Sequence, residues 1–150
     1  MEQRINVQEK GQNALKAIFG IGVYLKKSAI DRKLLELVYF RVSQINQCAY
    51  CLDMHSKELR AMEETEQRLY GLSAWRETPY YSDRERAALA WAEAVTACKA
   101  PEEEYLQARA NFSEEELIDL TLAVTTINTW NRMNIAFPSI PGNYQVGQFG

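Results

Sequence analysis

The only histidine of the chain stands four residues after a cysteine pair, in the run Cys48-Ala49-Tyr50-Cys51-Leu52-Asp53-Met54-His55. Cysteine reacts as its thiolate, and a neighbouring base or a positive helix end is what makes thiolate at neutral pH. If this run is helical, Cys48, Cys51 and His55 share a sector of ~60° on one face. Cys48 would then sit at the helix N-terminus, where unpaired N–H groups and the helix dipole stabilise negative charge. His55, one turn beyond Cys51, is placed to take or relay its proton. Cysteines three apart at a helix start can also close a disulfide. Together these residues form a compact kit for thiol redox chemistry.

The same residues admit other uses. Two cysteines can simply be small, inert core side chains. A zinc site needs about four ligands; here Cys98 is the one further cysteine and there is no second histidine. A static staple belongs to secreted scaffolds, and three cysteines in 150 residues do not make one. Met1 to Lys10 is polar and mixed in charge, unlike a signal peptide, so a reducing cytoplasm is the expected setting. There a C-x-x-C pair reads as catalytic or metal-binding.

Glu36 is the second residue that stands out. It interrupts the apolar run Leu34-Leu35-Glu36-Leu37-Val38-Tyr39-Phe40. A carboxylate among such neighbours is costly unless exposed or partnered. Burial raises a carboxyl pKa, which suits a proton acceptor. A solvent-facing position, or an ion pair with Arg32 or Arg41, is the plainer alternative. On one continuous helix Glu36 would lie ~18 Å from Cys48 and take no part. The polar run from Ser43 to Gln47 breaks the helix and lets the chain return, bringing Glu36 against the Cys-Cys-His face.

The elements that must position these residues are helical. The first stretch runs from Val7 to Lys27, with Gly20 and Gly22 weakening its continuity. Asp31 caps a second helix through Val42. A third runs from about Cys48 to Met62 and a short fourth from Thr65 to Trp75. Ser82 and Glu85 form a capping box that opens a helix carrying Ala88, Leu89, Trp91, Ala92 and Val95. Pro101 suits the first position of the next, through Ala110. Ser113 and Glu116 form a second capping box, opening a long helix through Ile127 and Met133. The stripe of Trp91, Ala92 and Val95 reads as core or subunit contact. Cys98 reads as structural.

The predicted architecture is all-α: one domain over residues 1–150, a bundle of six to seven helices with an irregular tail at about 138–150. A hydrophobic fraction of 47% and a charged fraction of 25% are ordinary for a globular protein. A net charge of −3, without a basic stripe, argues against nucleic acid. No apolar run approaches the ~20 residues that span a bilayer.

Glu36-Leu37-Val38, Arg41-Val42-Ser43, Asn46-Gln47-Cys48-Ala49-Tyr50-Cys51 and His55 resemble the core of the AhpD-like alkylhydroperoxidases, within the carboxymuconolactone decarboxylase superfamily. The resemblance continues through Glu66-Gln67-Arg68, Leu72 to Glu77, Glu85 to Trp91 and Trp130 to Phe137, covering about two-thirds of the chain. Its specific part is the spacing of glutamate, C-x-x-C and histidine. Well-studied members carry a histidine between the cysteines where this chain has Tyr50.

That resemblance implies an antioxidant thiol peroxidase that reduces organic hydroperoxides, assembled as a homo-oligomer, commonly a trimer or hexamer. Cys51 is then the peroxidatic cysteine and Cys48 the resolving one, with Glu36 and His55 as the proton relay. An external dithiol or dihydrolipoyl-type carrier reduces the disulfide, and no metal or bound cofactor is required. Three alternatives stand beside it: a protein disulfide reductase or redox sensor, a lactone decarboxylase by superfamily analogy, and a non-enzymatic helical oligomer. Tyr50 is expected at the pocket or its rim. Trp130, Asn131 and Arg132 fit a pocket, an interface, or core and capping roles.

Overall fold

A computed structural model describes residues 4–149; residues 1–3 of the polar N-terminus and Gly150 of the expected tail lie outside them. Among the described residues there are eight α-helices, one 3-10 segment and no strand. The all-α expectation is met, with one helix more than the six to seven foreseen.

The extra helix comes from the first stretch. It divides at Gly11 into α1 (Val7–Lys10) and α2 (Gln12–Leu25). A Cβ at Gly11 would meet the Val7 carbonyl oxygen at 2.9 Å, so a glycine fits this junction where larger residues would clash. Gly20 and Gly22 leave α2 unbroken.

Asp31 caps α3 (Arg32–Asn46), accepting from the Leu34 amide at 3.1 Å. Cys48 caps α4 (Ala49–Ala61) in extended conformation, so the helix begins one residue after the expected start. The expected fourth helix is only partly α: α5 (Glu66–Gly71) passes into a 3-10 segment (Leu72–Glu77), with Ala74 outside helical angles. Both capping boxes form, Ser82–Glu85 on α6 (Asp83–Thr96) and Ser113–Glu116 on α8 (Glu114–Ala136). Pro101 is the cap of α7 (Glu102–Asn111) rather than its first residue, with ψ at 148°.

Among the described residues three non-glycine positions have positive φ: Gln47, Glu63 and Cys98. Each ends a helix the same way. After α3, the Cys48 amide donates to the Ser43 carbonyl at 3.1 Å and the Gln47 amide to the Gln44 carbonyl at 3.2 Å. This Schellman pattern satisfies carbonyls the helix would otherwise leave open. The exposed, free Cys98 does the same at the end of α6, which gives it a structural role.

Helix α3 is the centre of the molecule. One of its faces carries Leu34, Leu35, Val38 and Val42 into a core shared with α6, α7 and α8. Another carries Leu37 and Phe40 against α4, α5, the 3-10 segment and α6. Alanines 87, 88, 90 and 92 on α6 are buried in these two cores, and their small side chains allow close approach of helices. Trp91 is core and donates its indole N–H to Thr121 Oγ1 at 2.9 Å. Among the described residues no helix is long and apolar enough to cross a membrane.

Candidate active site

The turn between α3 and α4 determines where the chemistry stands. Asn46 donates to Asn128 Oδ1 and Asn131 Oδ1, both at 2.9 Å, and the wholly buried Asn131 donates to Ser43 Oγ at 3.0 Å. Two residues of α8 therefore hold the end of α3. The chain reverses at Gln47 and lays the first turns of α4 beside the middle of α3.

That reversal brings Glu36 and His55 together. Their side chains are 12% and 7% exposed, and His55 Nδ1 lies 2.7 Å from Glu36 Oε2. A carboxylate only accepts, so Nδ1 carries the hydrogen and Nε2 of the neutral ring is an acceptor. Nε2 is buried and has no hydrogen-bond partner among the described residues. The anticipated ion pairs form elsewhere: Arg32 meets Glu58 at 3.5 Å and Arg41 meets Glu93 at 2.8 Å. Tyr39 packs on the imidazole with ring centroids 5.3 Å apart. Burial, then the Glu36 charge, pushes its phenol pKa well up, so Tyr39 stays protonated.

Cys48 and Cys51 are joined as a disulfide with Cα atoms 5.3 Å apart. Their surroundings differ. Cys51 lines a cavity of about 560 Å³ together with Glu36, His55 and Tyr50, whereas Cys48 is not among its wall residues. Both are buried, Cys51 fully and Cys48 to 2% exposure. Tyr50 thus lies at the pocket, as anticipated. Among the described residues no three His, Cys, Asp or Glu side chains gather as a metal site.

One contributor from α8, Asn134, had no sequence reading of its own. Asn134 of α8 donates its Nδ2 to Cys51 Sγ at 3.7 Å and to the Trp130 carbonyl at 3.1 Å. Trp130 lines the cavity and packs on Phe19 of α2, centroids 5.0 Å apart. Arg132 instead bonds back to Asn128 at the surface.

The tail after α8 is non-helical but held. Gly142 donates to Asp53 Oδ2 at 2.9 Å, and Lys57 Nζ donates to the carbonyls of Gly142 and Tyr144 at 2.9 and 3.2 Å. The Tyr144 hydroxyl and the Gly147 amide both donate to buried Glu58. Tyr144 and Phe149 thereby become cavity walls, and Phe149 stacks toward Phe19 at 5.8 Å. Two aromatic residues within a segment rich in proline and glycine were the available signal for this role.

Residues 11–94 match the sequence model of the carboxymuconolactone decarboxylase family. The uncharacterized protein YdfG of Bacillus subtilis (strain 168) is 42% identical over 139 residues, 91% of this chain and 95% of that protein. The solved structure of ATU0492 from Agrobacterium tumefaciens, a protein of unknown function proposed for antioxidant defence as an AhpD, superposes with a TM-score of 0.90. It is 39% identical, with 95% of this chain and 100% of that chain covered. An uncharacterized peroxidase-related protein from Silicibacter sp. TM1040 superposes with a TM-score of 0.78 at 25% identity, covering 97% of this chain and 76% of that one.

Proposed function

The chain belongs to the carboxymuconolactone decarboxylase family and is AhpD-like, and on that premise we propose that it is a thiol-dependent peroxidase reducing organic hydroperoxides at Cys51. One observation carries the reading: the disulfide partner that reaches the cavity, Cys51, shares its wall with the buried Glu36–His55 pair.

In the reduced protein His55 Nε2 takes the Cys51 thiol proton while Glu36 stabilises the imidazolium through Nδ1. The thiolate attacks a peroxide oxygen. A sulfur–oxygen bond forms, the oxygen–oxygen bond breaks, and the departing alkoxide takes the proton from His55 and leaves as the alcohol. Cys51 is now a sulfenic acid. The Cys48 thiol condenses with it, releasing water and closing the disulfide. An external dithiol, of the dihydrolipoyl type, restores both thiols by exchange.

The burial of both cysteines favours this reading over a protein disulfide reductase, because the cavity that Cys51 lines admits a small peroxide more readily than the disulfide of a folded protein. The lactone decarboxylase reading draws on the family name and uses no redox pair. Assembly as a trimer or hexamer, and a cytoplasmic setting, belong to the same proposal.

Reduced protein mixed with an organic hydroperoxide should lose two thiols per chain and gain the Cys48–Cys51 disulfide. A Cys48→Ser variant should stop at a sulfenic acid on Cys51 that a dione reagent traps. Undiminished thiol content after minutes in excess peroxide would end the proposal.

A further inference from the structure

The cavity beside Cys51 encloses about 560 Å³, within the range of pockets that hold drug-sized ligands. Hydrogen peroxide, little larger than water, needs almost none of that room. Beyond the reacting groups the wall is largely apolar and aromatic, with Phe19, Leu35, Ile127, Trp130 and Phe149 prominent. The unpartnered, buried Nε2 of His55, a residue of the same wall, marks where a polar group of a ligand is wanted.

Gly22 adds an independent observation. It lies inside α2, where glycine is destabilising relative to alanine. Such a glycine is ordinarily kept for close backbone approach or for a positive φ. Neither holds here: Gly22 is helical, and a Cβ built on it meets nothing within 4 Å. Gly71 differs, since its Cβ would meet Tyr80 at 3.2 Å. Gly20 has the same free space but is not a wall residue, whereas Gly22 is, so a side chain added at Gly22 is the one that would enter the cavity.

We propose that this cavity receives the apolar body of the hydroperoxide, of phenyl size or larger, and that Gly22 is a specificity-determining residue that keeps the room open. The inference rests on the peroxidase reading, which already names organic hydroperoxides, and adds the residue that sets how large their apolar body can be. The body lies between α2 and α8, with the peroxide group toward Cys51. Burial of apolar surface favours such a substrate in proportion to its area, so the same thiolate reacts faster with a bulky hydroperoxide than with hydrogen peroxide. Gly22 touches no reacting atom and acts only through the space it leaves.

The test follows oxidation of fully reduced protein by stopped flow, with cumene hydroperoxide and with hydrogen peroxide. Wild type should react at least tenfold faster with cumene hydroperoxide. Gly22→Leu should lose tenfold or more of that rate while its rate with hydrogen peroxide stays within twofold. Gly20→Leu, in the same helix but off the cavity wall, should change neither. Gly22→Val serves in its place if the leucine variant does not fold, as judged by circular dichroism. Equal rates for the two peroxides in wild type, or a Gly22 variant that slows both or neither, would overturn the inference and leave the peroxidase reading intact. Failure of both peroxides to oxidise wild-type Cys51 would remove that reading and this inference with it.

Discussion

Glu36 and His55, nineteen residues apart and on two different helices, meet at 2.7 Å in a buried wall. The contact exists because α3 stops at Asn46 and α4 folds back along it. A buried polar pair of this kind is strong when complete and costly when half removed. It has one free acceptor, Nε2, and the cavity it faces is the one that Cys51 lines.

The first prediction concerns that pair. Glu36→Gln leaves a hydrogen-bond partner for Nδ1 but no charge to stabilise an imidazolium; His55→Ala removes the base. A positioned general base is worth about 10²-fold or more, so both variants should slow oxidation of Cys51 by about that factor, with histidine removal the more severe. The pH profile of alkylation at Cys51 is the check. It should move to higher pH in both variants, and a normal thiol pKa near ~8.5 in wild type and both variants would remove the relay.

Asn134 should matter for a related reason. Its amide N–H donates to Cys51 Sγ at 3.7 Å, and a donor to sulfur favours thiolate over thiol. Asn134→Leu should raise the alkylation pKa of Cys51 and slow peroxide attack. Asn134→Asp, which replaces the donor by a carboxylate, should do so more strongly. A change in stability without a change in pH profile would mark Asn134 as structural only.

How far the sequence carries is clear from these same residues. Asp31, Ser82 and Ser113 state their helix starts locally, in caps three residues long, and all three form. Glu36 was visible because a charge in an apolar run needs an explanation. The polar run ending at Gln47 announced a break but not its left-handed geometry: such a residue is ordinarily glycine, and here long-range bonds donated by Asn46 to Asn128 and Asn131 hold the turn instead. The contacts of Asn134 with Cys51 and of Tyr144 with Glu58 span 83 and 86 residues. Such pairs are set by how helices pack, and no local pattern announces them.

The α3–α4 turn yields the third prediction. Asn131→Ala leaves the buried Ser43 hydroxyl and one Asn46 amide hydrogen without their partner, which costs roughly 1–3 kcal/mol by analogy with other unsatisfied buried groups. Gln47→Gly should act in the opposite sense, relieving a left-handed conformation that costs about 1 kcal/mol in non-glycine residues. Chemical denaturation of the oxidised protein measures both. If Asn131→Ala is neutral, α8 does not hold the end of α3.

Glu93 supplies the fourth, in pH. Burial pushes its carboxyl up, but hydrogen bonds from Trp75, Arg76 and Arg41 outweigh that and hold it below the ordinary carboxylate range. The Trp75 and Arg41 bonds measure 2.9 and 2.8 Å. A carboxyl whose folded pKa is depressed binds its proton more readily when unfolded. Its contribution is therefore complete above the unfolded value, about 4.3 for glutamate, and lost as pH falls through the folded value. Glu85 follows the same sign, with burial opposed by Arg68 and Ser82. Stability should thus be level near neutrality and fall below about pH 4. Glu93→Gln should be less stable than wild type at pH 7, and the gap should narrow toward pH 3 as the wild-type carboxyl protonates. Urea titrations at the two pH values decide it: a gap that is constant or widens in acid would mean that the Glu93 charge contributes nothing to the tie between α3, the 3-10 segment and α6.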